Sequence, residues 1–155
     1  MTKIVSQHGM WFEEFEVGQQ IITYGRTLSE SDIVSFAGLS GDYNQIHTDG
    51  EFARKTPYGQ RVAHGLLGLS IASGLAMRTG VLEGTVIAFR EINNWKFTNP
   101  IFIGDTIHAE LNIIETKPIA RIGGGSLIIE IIVKNQGDET TMKGTWTVLV
   151  SNRPK

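Results

Sequence analysis

The sequence predicts an α+β domain in which a curved antiparallel sheet wraps one long helix. Three observations predict it. The stretch from Val62 to Gly80, VAHGLLGLSIASGLAMRTG, carries no charge between Gly65 and Met77 and scatters small residues (Gly65, Gly68, Ala72, Ser73, Gly74, Ala76) round its circumference. A helix that is apolar on all sides is a buried helix, and this one falls short of the ~20 apolar residues of a membrane span. Beyond Gly84 the period of the apolar residues changes to two, as in half-buried strands. The turns between those strands are short, which implies an antiparallel meander.

In chain order, Trp11 to Gly18 is an aromatic and acidic lead-in, and Gln20 to Thr27 is β-branched enough for a first strand. Ser29 and Ser31 are both possible N-caps for a short helix with Ile33, Val34, Phe36 and Ala37 as its apolar face and Gly38 as its stop. Leu39 to Arg61 shows no sustained period, apart from a possible short helix over Gly50 to Lys55. A connection this long inside a small domain is often functional. It leads straight into the apolar helix. Thr85 to Thr98 is a strand or a bent pair of strands. Asp105 to Thr116 alternates, with Ile107, Ala109, Leu111 and Ile113 on one side. Ser126 to Asn135 is apolar on both faces, as in a strand covered on both sides. Thr140 to Val150 alternates again, with Met142, Trp146, Val148 and Val150 on one side and Thr141, Lys143, Thr145 and Thr147 on the other.

A chain of 155 residues suggests one domain, spanning 1–155. Acidic residues number 16 and basic residues 14, with no basic stripe of the kind nucleic-acid binders use. The chain has no cysteine, which excludes disulfides and thiolate metal sites. The N-terminus has no hydrophobic signal core and no transmembrane run follows, so a soluble cytoplasmic protein with no membrane partner is expected.

The long connection holds Ser40-Gly41-Asp42-Tyr43-Asn44-Gln45-Ile46-His47-Thr48-Asp49. On a regular helix the five-residue offset from Asp42 to His47 turns the side chains about 140° apart, whereas a bent loop can make them converge. A carboxylate beside an imidazole can serve as an acid–base pair near neutral pH. The alternative is purely structural, because Gly-Asp and Asp-Gly are ordinary turn dipeptides and Asn44 can hold a loop through backbone bonds. A metal site from Asp42, His47, Asp49 and His64 matches no recurrent ligand spacing, so none is expected. His64-Gly65 opens the apolar helix, whose free N–H groups carry about half a positive charge and could polarise a carbonyl. Equally, His64 could cap the helix or sit satisfied in the core. Ser70 and Ser73 should bond back to carbonyls one turn earlier. Trp95, Phe97, Phe102 and Trp146 read as core.

Several ordered segments resemble the MaoC-like dehydratases, also called the (R)-specific enoyl-CoA hydratase family, of the hotdog fold. The opening Phe12-Glu13-Glu14-Phe15-Glu16-Val17-Gly18 is similar to theirs. Phe36 to His47 is similar to the hydratase signature: an aromatic residue, then Ser-Gly-Asp-x-Asn-Pro-aliphatic-His. Tyr58-Gly59-Gln60-Arg61-Val62-Ala63-His64-Gly65 resembles the approach to the central helix. Asn94-Trp95-Lys96-Phe97 to Pro100, with Gly104-Asp105-Thr106-Ile107, resembles the strand and turn that follow it. The similarity runs from about Trp11 to Val150.

The resemblance implies a single MaoC-like hotdog domain that reversibly adds water to a trans-2-enoyl-CoA, on one face, giving an (R)-3-hydroxyacyl-CoA. It places Asp42 and His47 at the catalytic positions and the Gly65 amide against the thioester carbonyl, with Asn44 and Ser70 as supporting polar residues. It calls for no metal and no separate cofactor, since CoA is part of the substrate. Arg61, Arg78, Arg90, Lys117 and Arg121 are the candidate phosphate partners. It also implies a homodimer or higher homo-oligomer. The chain departs at Gln45, where the family usually has proline; a less rigid or differently hydrogen-bonded loop would bear on activity level and substrate choice but removes neither catalytic side chain. Two other readings share these residues: a hotdog acyl-CoA thioesterase, and a non-catalytic acyl-CoA-binding or partner subunit.

Overall fold

The computed structural model describes residues 8–155; the start of the N-terminal stretch read for a signal core lies outside them. After a 3-10 turn at Phe12–Glu14 come β1 (Gln20–Ile22) and β2 (Arg26–Thr27), both antiparallel to β4 (Thr106–Ile119). The single strand expected over 20–27 is therefore broken. Thr23 breaks it. Its N–H donates to the Ala109 carbonyl at 2.9 Å, and its hydroxyl accepts from the Ala109 N–H at 2.9 Å. The side chain thus replaces a ladder carbonyl, and the chain carries one extra residue opposite β4 between Ile22 and Arg26, a bulge.

Helix α1 (Glu30–Ser40) starts at Ser29, whose hydroxyl accepts from the Asp32 N–H while the Asp32 carboxylate accepts from the Ser29 N–H at 2.8 Å. Such a capping box satisfies two orphan donors. The helix runs past Gly38 and stops at Gly41, which adopts the left-handed conformation (φ 78°). Two short helices follow, α2 (Gln45–Thr48) and α3 (Gly50–Arg54); only the second was expected. Helix α4 (Gly65–Arg78) begins three residues later than the apolar run. Val62 bridges Phe102, and the Ala63 N–H donates to the Ile101 carbonyl at 2.8 Å.

The remaining strands are β3 (Val86–Phe97), β5 (Gly124–Lys134) and β6 (Thr140–Ser151). The six-stranded sheet has the order β1-β4-β5-β6-β3, with β2 also on β4. β4, β5 and β6 form the meander that short turns imply, but β3 pairs with β6 and not with β4. The reason is local. The chain between β3 and β4 is tied at Ile101 and Phe102 to the residues before α4, so it crosses over instead of forming a hairpin.

Ile107, Ala109, Leu111 and Ile113 of β4, Leu127, Ile129, Ile131 and Val133 of β5, and Trp146, Val148 and Val150 of β6 are all buried. Against this face α4 sets Leu67, Ile71, Ala72, Leu75 and Ala76. A Cβ on Gly68 would lie 2.5 Å from the Met142 methyl and 3.0 Å from Ile101 Cδ1, so a larger residue there would make both side-chain ends shift. The opposite face of β5 is half-buried, not covered. The helix is likewise covered on one side only: Leu66 is 61% and Met77 40% exposed, and Ser70, Ser73 and Gly74 are exposed between them. The expectation of a helix buried all round is corrected. The sheet is one curved, open layer, and among the described residues nothing else packs on the outer side of α4. No helix among the described residues is long and apolar enough to cross a membrane.

Candidate active site

The connection between α1 and α4 builds its geometry from side-chain bonds to backbone. Asp42 follows the left-handed Gly41, and its carboxylate accepts from the Asn44 N–H at 3.1 Å. This is the Asx-turn that the structural reading anticipated. Asn44 caps α2, its side-chain oxygen accepting from the Ile46 N–H at 3.2 Å. Gln45 is thus the first residue of α2. Proline is favoured at that position because the N–H there has no helical partner in any case. The departure from the family pattern therefore leaves the local fold intact.

His47 lies in α2 with 7% of its surface exposed. Its Nδ1 is 2.7 Å from the Val62 carbonyl oxygen. A carbonyl only accepts, so Nδ1 carries the proton and Nε2 is left with a free lone pair. Burial lowers the pKa of His47, and the neighbouring His64 lowers it further; the Val62 hydrogen bond and Asp42 oppose them. The ring is held neutral, with Nε2 as its basic atom.

His64 occupies the N-cap position of α4 but makes no capping bond with its side chain. Instead its Nε2 is 2.8 Å from the Asp42 main-chain carbonyl, and its ring stacks on His47 at 3.8 Å between centroids. The first-turn amides of α4, led by Gly65, are consequently uncapped by the residue that would ordinarily cover them. Gly65 also makes room for a neighbour: a Cβ there would lie 2.8 Å from the Phe97 ring, and Phe97, read as core, is 53% exposed.

One ligating atom from each of Asp42, His47 and His64 lies within 4.8 Å of the others. The bent loop has thus brought Asp42 and His47 together across their five-residue offset. The fourth suggested metal ligand, Asp49, caps α3 by accepting from the Phe52 N–H at 2.9 Å. The two imidazoles are stacked at 27°, so their in-plane lone pairs lie in nearly parallel planes. Ligands of a tetrahedral ion must converge on one point about 2 Å away, and this donor set fits one poorly. A second acidic cluster, His108, Glu110 and Asp138, is bridged by Lys134, which pairs with Glu110 at 2.9 Å and Asp138 at 3.2 Å.

A cavity of about 500 Å³ opens beside the histidines, lined by His47, His64, Gly65, Tyr58, Phe97 and Met142 among others. Asp42 is exposed and does not line it. A second cavity, of about 470 Å³, follows the exposed side of α4 between Ser70, Ser73 and Met77 on the helix and Phe89, Ile92 and Trp146 on the sheet. Ser70 belongs to this second cavity and not to the Asp42–His47 cluster. Its hydroxyl donates to the Leu66 carbonyl, and that of Ser73 donates to Ser70, the back-bonding expected of them. Of the candidate phosphate partners, Arg61 is paired with Glu30. The residue the sequence undervalued is His64. The only signal was its place ahead of a glycine that opens a helix, because its bond to Asp42 spans 22 residues.

Residues 13–133 match the family model described as MaoC like domain. The chain is 43% identical over 101 residues to the protein MaoC of Klebsiella aerogenes, covering 65% of this chain but only 30% of that protein. It is 31% identical to the 3-hydroxybutyryl-CoA dehydratase of Methylorubrum extorquens over 93% of this chain and 86% of the relative. It is 31% identical to the (R)-specific enoyl-CoA hydratase of Aeromonas caviae over 79% and 96%. Among solved structures, an Archaeoglobus monoamine oxidase regulatory protein superimposes with a TM-score of 0.89 at 35% identity, over 97% of this chain and 100% of that one.

Proposed function

This chain belongs to the MaoC-like domain family, and we propose that it is a hydro-lyase that adds water reversibly to a trans-2-enoyl-CoA, giving the (R)-3-hydroxyacyl-CoA. The observation that carries the proposal is the orientation of His47. The Val62 carbonyl accepts a hydrogen bond from Nδ1, so Nε2 is left neutral and basic on a ring that lies close to the Asp42 carboxylate and the uncapped start of α4.

In the hydration direction, the water oxygen forms its bond to the β-carbon as Nε2 of His47 takes one of its protons. The Asp42 carboxylate accepts the other O–H and stabilises the imidazolium that forms. The π electrons move to the thioester carbonyl, whose oxygen the Gly65 N–H stabilises as an enolate. The imidazolium then returns its proton to the α-carbon on the same face, so the addition is syn and His47 ends neutral. Dehydration runs the same steps backwards. One preorganised oxyanion donor is typically worth about 3–4 kcal/mol of barrier. The acyl chain would follow the apolar cavity along α4. The exposed apolar side of α4 and the neighbouring Phe89 and Ile92 of β3 fit cover by a second copy in a homodimer.

The test is incubation with enoyl-CoAs of graded chain length, following loss of the conjugated double bond alongside a thiol-trapping reagent. Hydration without thiol release is expected. Thiol release instead would make the protein a thioesterase, and neither reaction across the panel would leave it an acyl-CoA-binding or partner subunit. Sedimentation at micromolar concentration checks the dimer.

A further inference from the structure

We propose that His64 is a positioning residue of this site, holding Asp42 through its main chain and His47 through its ring; the inference rests on the hydratase reading of Asp42 and His47. It stands on three observations. The His64 ring is 2% exposed, deep enough that its contacts define its orientation. Its Nε2 lies 2.8 Å from the Asp42 carbonyl oxygen, which can only accept, so Nε2 carries the proton. Its face lies against His47 at 3.8 Å, with Phe36 packed on it at 4.9 Å.

These contacts account for what would otherwise be a misplaced residue. Ser, Thr, Asp or Asn is preferred at the head of a helix because its side chain accepts from the first-turn amides. His64 makes no such bond and turns its ring back to the loop. The outcome is twofold. The start of α4 stays open where the thioester carbonyl must sit. The loop that carries Asp42, whose own side chain is held among the described residues only by the local Asn44 amide, gains a long-range anchor. Nδ1 of His64, buried and without a hydrogen-bond partner among the described residues, shows that the ring is not fixed from its other side by a second bond. His64 acts as a hydrogen-bond donor and a floor for the His47 ring and does not itself touch the reacting atoms.

Glutamine and leucine separate these roles. His64→Gln can place an amide N–H near the lost Nε2, whereas His64→Leu fills space without donating. His64→Leu should lower kcat by about 100-fold, the scale of a misplaced catalytic group, with KM within about threefold of wild type. His64→Gln should recover about tenfold of that loss, the scale of one hydrogen bond. Amide exchange at Asn44 should quicken in the leucine variant and return toward wild type in the glutamine variant. Nitrogen NMR of the wild-type protein with labelled histidine should show His64 protonated at Nε2 and not at Nδ1. Wild-type kcat in folded His64→Leu, or a Nδ1-protonated His64 in the wild type, would overturn the proposal. The NMR and exchange measurements need no turnover. If the wild-type protein hydrates no enoyl-CoA, the hydratase reading fails by itself and these two still decide whether His64 anchors the loop.

Discussion

The sheet and the segment from Gly41 to Gly65 are held together in opposite ways. In β4, β5 and β6 the bonds are backbone to backbone in long registers, and the side chains contribute by burial. In the segment, side chains of Asp42, Asn44, His47, Asp49 and His64 each bond a backbone group. A ladder tolerates exchange of one apolar side chain for another of similar volume. A segment whose shape is written in single side-chain bonds changes geometry when one is lost. The difference separates stability from chemistry, and it can be tested by damaging each region in turn.

The largest effects on turnover should come from the segment. Asp42→Asn and His47→Gln should each lower hydration of a short enoyl-CoA by about a thousandfold or more, with far-ultraviolet circular dichroism and melting midpoint nearly unchanged. Near wild-type activity in either folded variant would sink the site assignment. Leu111→Ala, in the middle of β4 and 1% exposed, should do the reverse. It should remove about 2–5 kcal/mol of stability by urea unfolding and leave kcat of the folded fraction close to wild type.

Gly65 lies where the two kinds of construction meet, and Gly65→Pro tests it. His64 has φ −58° and ψ 134°, a conformation that a following proline favours, and proline suits the first position of a helix. The Phe97 ring would have to move aside, which its exposure allows. The helix should therefore survive while its leading N–H is deleted. The expected loss is about 10²–10³ in kcat, read in single-turnover assays with the far-ultraviolet spectrum as control.

The legibility of the sequence follows the same division. Period-two alternation announces β4 and β6 because burial of Ile107, Leu111 or Val148 depends only on which face of a strand a residue takes. Alternation says nothing about neighbours, so the pairing of β3 with β6 was missed, and the Thr23 bulge depends on a hydroxyl meeting Ala109 across the sheet. Composition marked α4 as apolar but could not say that only one side of it is covered within the chain. In the candidate site, Asp42, His47 and Gly65 could be singled out because they stand at ordered positions in a motif, and the structure brings Asp42 and His47 together. The His64 contact could not, because a bond from residue 64 to residue 42 leaves no trace in local spacing.

Acid should act on both regions through one group. His47 has a folded pKa below its ordinary value, chiefly because burial disfavours its charged form. Above about pH 6.5 both folded and unfolded states hold it neutral and it contributes no pH dependence. As pH falls below that value the unfolded chain takes up the proton first, so stability falls until the folded pKa is passed. The activity limb should lie lower than about pH 6.5, because the base works only while neutral. His47→Gln should remove this part of the acid destabilisation, as followed by urea unfolding between pH 5 and 7.

The smallest expected effect concerns Gln45, the position at which the chain departs from its family. If glutamine there marked a subunit that had lost catalysis, restoring proline should change the loop. The geometry says otherwise. Asn44 has φ −52° and ψ 136°, a conformation already suited to precede proline. The bonds that fix α2 run through the Asn44 side chain, the Gln45 carbonyl and the Ile46 carbonyl, none of which proline at position 45 removes. Gln45→Pro should therefore raise stability by about 0.4–1 kcal/mol, through the unfolded chain alone, with kcat within about twofold of wild type. A large gain in turnover would show that the loop of the glutamine protein is not held in its working shape. An unchanged kcat with a modest rise in the melting midpoint would show that proline and glutamine are two ways to begin the same helix.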